Sequence, residues 1–166
     1  MAHSVHYEAA FEDYLRSRQS PYVAVDDTHR ALFSGAKLKS FDFLVYAAGG
    51  ETLIVDVKGR RLPTKGAWGK TPQNWVTQED ADGLKKWQEV FGPGFTAVFV
   101  FAYWLDGPPP AADASVHLYE GANYRFVGIR LDDYLRHARV RSPRWQTLTL
   151  PAGIFRESSR PAHEFL

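Results

Sequence analysis

The stretch TLIVDVKGRR, residues 52–61, places an aspartate and a lysine two positions apart at the end of an apolar, β-prone run. Side chains alternate along a strand, so Asp56 and Lys58 share a face, the one that also holds Ile54. A second aspartate, Asp42, lies in the preceding apolar segment FDFLVY, on the face of Leu44 and Tyr46. The separator AAGGE predicts a hairpin between the two segments. Antiparallel pairing then brings Asp42 within a few ångström of Asp56, and two carboxylates that close repel. A divalent cation between them removes the repulsion and gains the oxygen ligands that magnesium prefers. A lysine beside them can orient a water or neutralise charge developing on a phosphate. These three residues suit metal-assisted phosphodiester hydrolysis. The competing reading is an aspartate and a lysine solvated or ion-paired at a strand end. Placement at the close of a buried strand, after a hairpin that carries another aspartate, weighs toward chemistry.

The elements that must position these residues follow from periodicity. Tyr7, Phe11, Tyr14 and Leu15 recur at helical spacing and predict a helix over roughly 4–18. YVAV (22–25), FDFLVY (41–46) and TLIVDVK (52–58) read as strands, and Gly59 to Thr77 as a long loop. A helix follows in QEDADGLKKWQEVFG, with Thr77 as its cap and Asp80 three residues on. FTAVFVFAYWL (95–105) is the most hydrophobic strand, and strand, helix, strand predicts a parallel crossover. Leu53, Val55 and Val57 on one side and Ile54 on the other make strand 52–58 central and covered on both faces. After DGPPPAADA come the strands SVHLYE and YRFVGIRL, a short helix DDYLRHA and a last strand TLTLP. The expected fold class is α/β. The expected organisation is a core over 1–105, a connecting loop over 106–114, and a small α/β extension over 115–166 packed on the same domain.

Composition narrows the partners. At 166 residues, 45% apolar and 23% charged, the chain is long enough for one domain with a real core and ordinary for a globular protein. It has no cysteine, which excludes disulfides, thiolate metal sites and a cysteine nucleophile. His6, His29, His117 and His137 show no zinc spacing. No run approaches the roughly 18 apolar residues of a membrane span, and the start MAHSVHYEAA lacks the apolar core of a signal peptide. A cytoplasmic location with no membrane partner is the default expectation. Net charge is +1, yet Lys58, Arg60, Arg61, Lys65 and Lys70 fall within 58–70 without an acid, and Arg136, Arg139, Arg141 and Arg144 within 136–144 likewise. Such patches bind phosphates or are simply solvated surface. Trp68 and Trp75, in or near the first patch, stack on bases or pack on the core.

The order of helix glutamate, aspartate and Asp-x-Lys resembles the PD-(D/E)xK nuclease superfamily, in particular archaeal Holliday-junction resolvases and small restriction-like endonucleases. The resemblance runs over roughly residues 5–105. YEAAFEDYLRSR resembles the family's opening helix, with Glu8 at the position of its glutamate and Leu15-Arg16 seven residues on. SFDFLVY resembles the strand of the first aspartate, with Phe41 in place of the usual proline, and LIVDVKGR resembles the (D/E)xK strand. GLKKWQEVFG resembles the following helix, where many members carry a glutamine, here Gln88. The resemblance implies a restriction-endonuclease-like mixed central sheet flanked by helices. It implies Asp42 and Asp56 as ligands of Mg²⁺ or Mn²⁺, the Val57 carbonyl as a further ligand, and Glu8 at a second metal or its water. Lys58 would be the catalytic lysine, with Gln88 beside the site. The substrate expected is DNA, held by Arg60, Arg61, Lys65, Lys70, Arg139 and Arg141, by one chain, a homodimer or a larger assembly. The alternative is a non-catalytic nucleic-acid-binding or scaffold module with the same fold. Helical rotation separates the two glutamates of the first helix. Glu8 falls about 100° from Tyr7, beside Leu15 at the edge of the apolar stripe, and Glu12 about 140°, further toward solvent.

Overall fold

The segment Thr52–Pro63 is central because it is apolar on both faces. Leu53, Val55 and Val57 are buried on one side, and Ile54 and Leu62 on the other. The computed structural model describes residues 2–26, 32–33, 36–63, 72–107 and 114–166. In chain order the elements are α1 (Ala2–Ser17), β1 (Tyr22–Ala24), β2 (Leu32–Phe33), β3 (Ala36–Lys37), β4 (Phe43–Tyr46), β5 (Thr52–Pro63), β6 (Val76–Thr77), α2 (Gln78–Phe91) and β7 (Phe95–Asp106). They continue with β8 (His117–Tyr119), β9 (Ala122–Arg130), α3 (Leu131–His137), β10 (Arg139–Ser142), β11 (Thr147–Thr149), α4 (Ala152–Ser158), β12 (Arg160–Pro161) and a 3₁₀ turn (Ala162–Phe165).

The main sheet runs β1-β4-β5-β7-β9-β12, with β8 also paired to β9. It is mixed: β5 and β7 are parallel from Thr52↔Phe95 to Pro63↔Asp106, and the other pairs are antiparallel. A parallel pair needs a crossover, which α2 supplies. Helix α1 lays Tyr7, Ala10, Phe11, Tyr14 and Leu15 on the face of Leu53, Val55, Val57, Val98 and Val100. On the opposite face, Ala81 and Leu84 of α2, Leu131 and Tyr134 of α3 and Phe155 of α4 meet Ile54, Ala97, Phe99, Phe101 and Tyr103. The result is the mixed sheet flanked by helices that the sequence predicts.

Two differences bear on the site. The loop predicted from Gly59 does not start there, because β5 continues to Pro63 and pairs Gly59–Pro63 with Ala102–Asp106. The buried twelve-residue β7 needs main-chain partners along its length, and this carries the polar Arg60 and Arg61 into the sheet. Of the predicted tail strands, SVHLYE becomes β8 and YRFVGIRL becomes β9, which is hydrogen-bonded to β7 inside the main sheet. The last predicted strand becomes β11, which joins β10 and β6 in a separate three-stranded sheet and so ties the tail to the start of α2. Gly59 is required by close packing. A Cβ there would lie 2.0 Å from Cδ2 of Tyr7, so the bare backbone lets the Tyr7 ring, one residue before Glu8, seat on β5.

Candidate active site

Strand β4 starts one residue after Asp42, with Phe43 opposite Val55. The Asp42 amide donates to the Val55 carbonyl at 2.9 Å, and its Oδ2 accepts the Val57 N–H at 2.7 Å. Its carboxylate thereby stands in for a ladder partner just past the end of β4, satisfying a backbone donor that burial would otherwise strand. This fixes Asp42 beside Asp56, which is buried at 7% exposure. Lys58, two residues along the same face, places Nζ 3.1 Å from Asp56 Oδ2. The three residues that sequence spacing joins are therefore together, on the face of β5 covered by α2.

A fourth residue completes the group. Asp80, 4% exposed, sets Oδ2 3.0 Å from Lys58 Nζ. It is also the third residue of α2, and the capping box is formed in both directions. Thr77 Oγ1 accepts the Asp80 amide at 3.0 Å, and Asp80 Oδ2 accepts the Thr77 amide at 3.1 Å. Its Oδ1 accepts from the Lys39 ammonium. The cap is legible in the sequence; the contacts with Lys58 and Lys39 are not, because they depend on how α2 lies over β5.

The electrostatics divide the carboxylates. Burial, then the charge of Asp56, then that of Glu8 push Asp42 well above the ordinary carboxylate range. Asp56 is raised as well, by burial first and by Asp80, with Lys58 pulling against them. Burial also opposes the charge of Asp80, but Lys58 and Lys39 together bring it down to about 2. Burial lowers the Lys58 amine, and Asp56 and Asp80 more than offset it, leaving lysine above its usual value. Glu8 is half-buried on α1 and close enough to act on Asp42. Glu12, one turn on, is held instead by Arg16 and by Tyr22 Oη at 3.0 Å.

Among the described residues, no three acidic or imidazole side chains converge closely enough to hold a metal unaided. The donor chemistry nonetheless fits magnesium, which takes one or two carboxylates and keeps several waters. Asp56 is buried and Asp42 half-buried beside it, and the charge of Asp56 disfavours that of Asp42.

The remaining predicted residues fall elsewhere. Gln88, near the other end of α2, accepts the Ala97 N–H at 2.6 Å and donates to Asp132 at 3.3 Å. Lys65, Lys70, Trp68 and His29 lie outside the described residues. Arg60 continues the Asp56–Lys58 face, donating to the carbonyls of Gly59, at 2.7 Å, and of Trp75, with its guanidinium 3.9 Å from the Trp75 ring centre. Burial lowers its pKa. Arg141, exposed on β10, lies over the same ring at 5.1 Å, so one arginine from each basic patch meets Trp75. Arg139 is exposed on β10, and Arg61 is exposed and paired with Asp106. Asn74 fixes this corner. Its Oδ1 accepts the Leu150 N–H at 2.8 Å, its Nδ2 donates to the Leu150 carbonyl at 3.1 Å, and its own carbonyl accepts Tyr134 Oη at 2.9 Å.

No protein-family model matches the chain, and no curated protein matches it in sequence. In structure it is similar to Archaeoglobus fulgidus Hjc, a Holliday junction resolvase from an archaeal hyperthermophile, with 12% sequence identity, a TM-score of 0.51 and 93% of each chain covered. The likeness extends past the segment that carries the sequence motif and takes in most of the tail. This chain has the restriction-endonuclease-like fold of that resolvase.

Proposed function

We propose that this protein is a divalent-metal-dependent nuclease that hydrolyses phosphodiester bonds, with DNA as substrate. The observation that carries the reading is the buried Asp56 beside the half-buried Asp42, which the Val57 amide holds in place, with the half-buried Lys58 ammonium 3.1 Å from Asp56 Oδ2. A fold does not fix a function, so the fold of a resolvase supports the proposal and the side chains carry it. Asp42 and Asp56 would hold Mg²⁺ or Mn²⁺, with the Val57 carbonyl as a further ligand by family resemblance and Glu8 at a second metal or its water. A bound cation supplies Lewis-acid stabilisation of the phosphate and hydroxide at neutral pH.

The other residues act around that pair. Lys58 orients the attacking water and offsets negative charge as the phosphorus becomes five-coordinate. Arg139 and Arg141 contact backbone phosphates, which positions the duplex without reading its sequence. Arg60 serves as the base on which Trp75 rests, since its guanidinium is already committed to two carbonyls. Gln88 holds the start of β7, where the ladder with β9 begins only at Val98.

Incubation with supercoiled plasmid and Mg²⁺ or Mn²⁺ tests the reading. Nicking or linearisation should stop with EDTA and with Asp56→Asn. Cutting that persists in EDTA overturns the metal mechanism. DNA binding without cutting under every condition turns the reading to the non-catalytic module.

A further inference from the structure

Lys58 has two carboxylates at nearly equal distance, Asp56 Oδ2 at 3.1 Å and Asp80 Oδ2 at 3.0 Å. Under the nuclease reading, on which this inference rests, Asp56 is drawn to a cation and its contact with Lys58 weakens. A lysine on a flexible stem then needs a second anchor if its ammonium is to stay over the site. We propose that Asp80 is the positioning residue of Lys58: it holds the ammonium in place when Asp56 turns to the metal.

Asp80 is built for that task. Its carboxylate is fixed by two groups besides Lys58, the Thr77 amide on Oδ2 and the Lys39 ammonium on Oδ1, and its backbone amide is held in turn by the Thr77 hydroxyl. It stands at the start of α2, where the helix dipole favours a negative charge. An anchor so fixed does not move when its partner's other contact goes. Lys39 has a second consequence. One carboxylate shared by two lysines cannot neutralise both, so Lys58 keeps net positive charge to set against a phosphate.

Three variants separate positioning from helix capping. Asp80→Asn keeps the size and an acceptor for the Thr77 amide but removes the charge that holds Lys58. Thr77→Ala breaks the other half of the cap and leaves Asp80 and Lys58 in contact. Asp56→Asn reports on the nuclease reading itself. Single-turnover cutting is measured at saturating Mg²⁺, with KM for DNA, Mg²⁺ affinity by calorimetry and thermal melting. Asp80→Asn should lower kcat by about a hundredfold, the scale of an ångström-level misplacement, with KM and Mg²⁺ affinity unchanged. Thr77→Ala should lose melting temperature and keep kcat within about twofold, since capping alone is a stability effect. In a Lys58→Ala background, Asp80→Asn should cost no further activity while still lowering the melting temperature. If Asp80→Asn does not fold, Asp80→Glu, which keeps the charge and moves it by one methylene, is measured in its place. A kcat at the wild-type level in the folded Asp80 variant overturns the proposal, as does an equal kcat loss in Thr77→Ala. If the wild type cuts and Asp56→Asn does not, such a result removes only the role of Asp80. If the wild type does not cut, the nuclease reading falls and takes this role with it.

Discussion

Asp56, the strand-end neighbour of Asp42, and the helix-start residue Asp80 both contact Lys58, yet the pKa values of the strand-end pair and of Asp80 move in opposite directions. Asp80 accepts from two ammonium groups and a backbone amide and titrates at about 2. Asp42 has one backbone amide and two carboxylate neighbours, and is pushed well above the usual range. Burial opposes charge at both places, so burial is not the difference. The difference is the count of cationic partners. Asp80 has more than enough positive charge and is a finished structural contact. The strand-end pair has too little, and a site short of positive charge is the one that gains most from a metal ion.

The largest effect that can break this comparison is on cutting. Asp42→Asn or Asp56→Asn should lower the rate about a hundredfold or more, because an amide keeps the shape and not the charge. In EDTA, Asp42→Asn should melt no lower than wild type, since it keeps an acceptor for the Val57 amide and removes the repulsion with Asp56. A large drop in melting temperature for Asp42→Asn would mean that its charge is already compensated, and the contrast with Asp80 would collapse.

The second effect is on stability and has the opposite sign. The pKa of Asp80 is depressed on folding, so its contribution is fully present above the unfolded value near 4 and is lost as pH falls toward 2. A fall from 3.8 to about 2 corresponds to roughly 2 kcal/mol. Urea unfolding in EDTA should show wild type losing about that much between pH 5 and pH 2 from this group. Asp80→Asn should start lower at pH 7 and lose correspondingly less. Equal acid slopes in the two proteins would remove the ion pairs of Asp80 from the account of stability.

Legibility follows the same division. The facing aspartates and the lysine on their face were readable because strand alternation and a short hairpin are local rules, and β4 and β5 pair by them. The α1 stripe was readable for the same reason, and Tyr7, Phe11, Tyr14 and Leu15 are all buried. Asp80 was readable as a cap and unreadable as a partner of Lys58, because that contact depends on the placement of a crossover helix. The continuation of β5 through Gly59–Pro63 was hidden because Arg60 and Arg61 carry no strand signal of their own; the long apolar β7 beside them imposes the pairing. Strand β10 (Arg139–Ser142) was hidden likewise, since three of its four residues are exposed and leave no alternation to read.

A third, smaller effect sharpens the contrast between the two acidic places. Ligands that bind only the folded state stabilise it by mass action, by about 2.7 kcal/mol at a hundred times Kd. Titrating Mg²⁺ against wild type without DNA should raise the melting temperature progressively. The rise should vanish in Asp56→Asn and persist in Asp80→Asn, whose charge faces lysines. A Mg²⁺ response that Asp80→Asn abolishes and Asp56→Asn leaves intact would reverse the assignment of the two carboxylates.

The smallest effect concerns the arginines around Trp75. Arg60 and Arg141 lie over one ring, at 3.9 Å and 5.1 Å, but only Arg60 is anchored to backbone carbonyls and pressed by burial. Removing Arg60 strips a partner from the partly buried Trp75 carbonyl, so Arg60→Ala should lower stability through a poorly satisfied acceptor, by about 1 kcal/mol. Arg141 is exposed, so Arg141→Ala should change stability by less than about 0.5 kcal/mol. Its effect should show in DNA binding. A lost phosphate contact weakens binding alike for all sequences and flattens the plot of log K against log salt by about one unit. The two arginines thus repeat at a basic corner the distinction between Asp80 and the strand-end pair. One charge is already used within the fold, and the other is offered to a ligand. A binding titration across salt concentrations, paired with urea unfolding of each variant, separates them. An unchanged salt slope in Arg141→Ala would leave Trp75 and its arginines as a structural corner and move the DNA backbone to another face of the sheet.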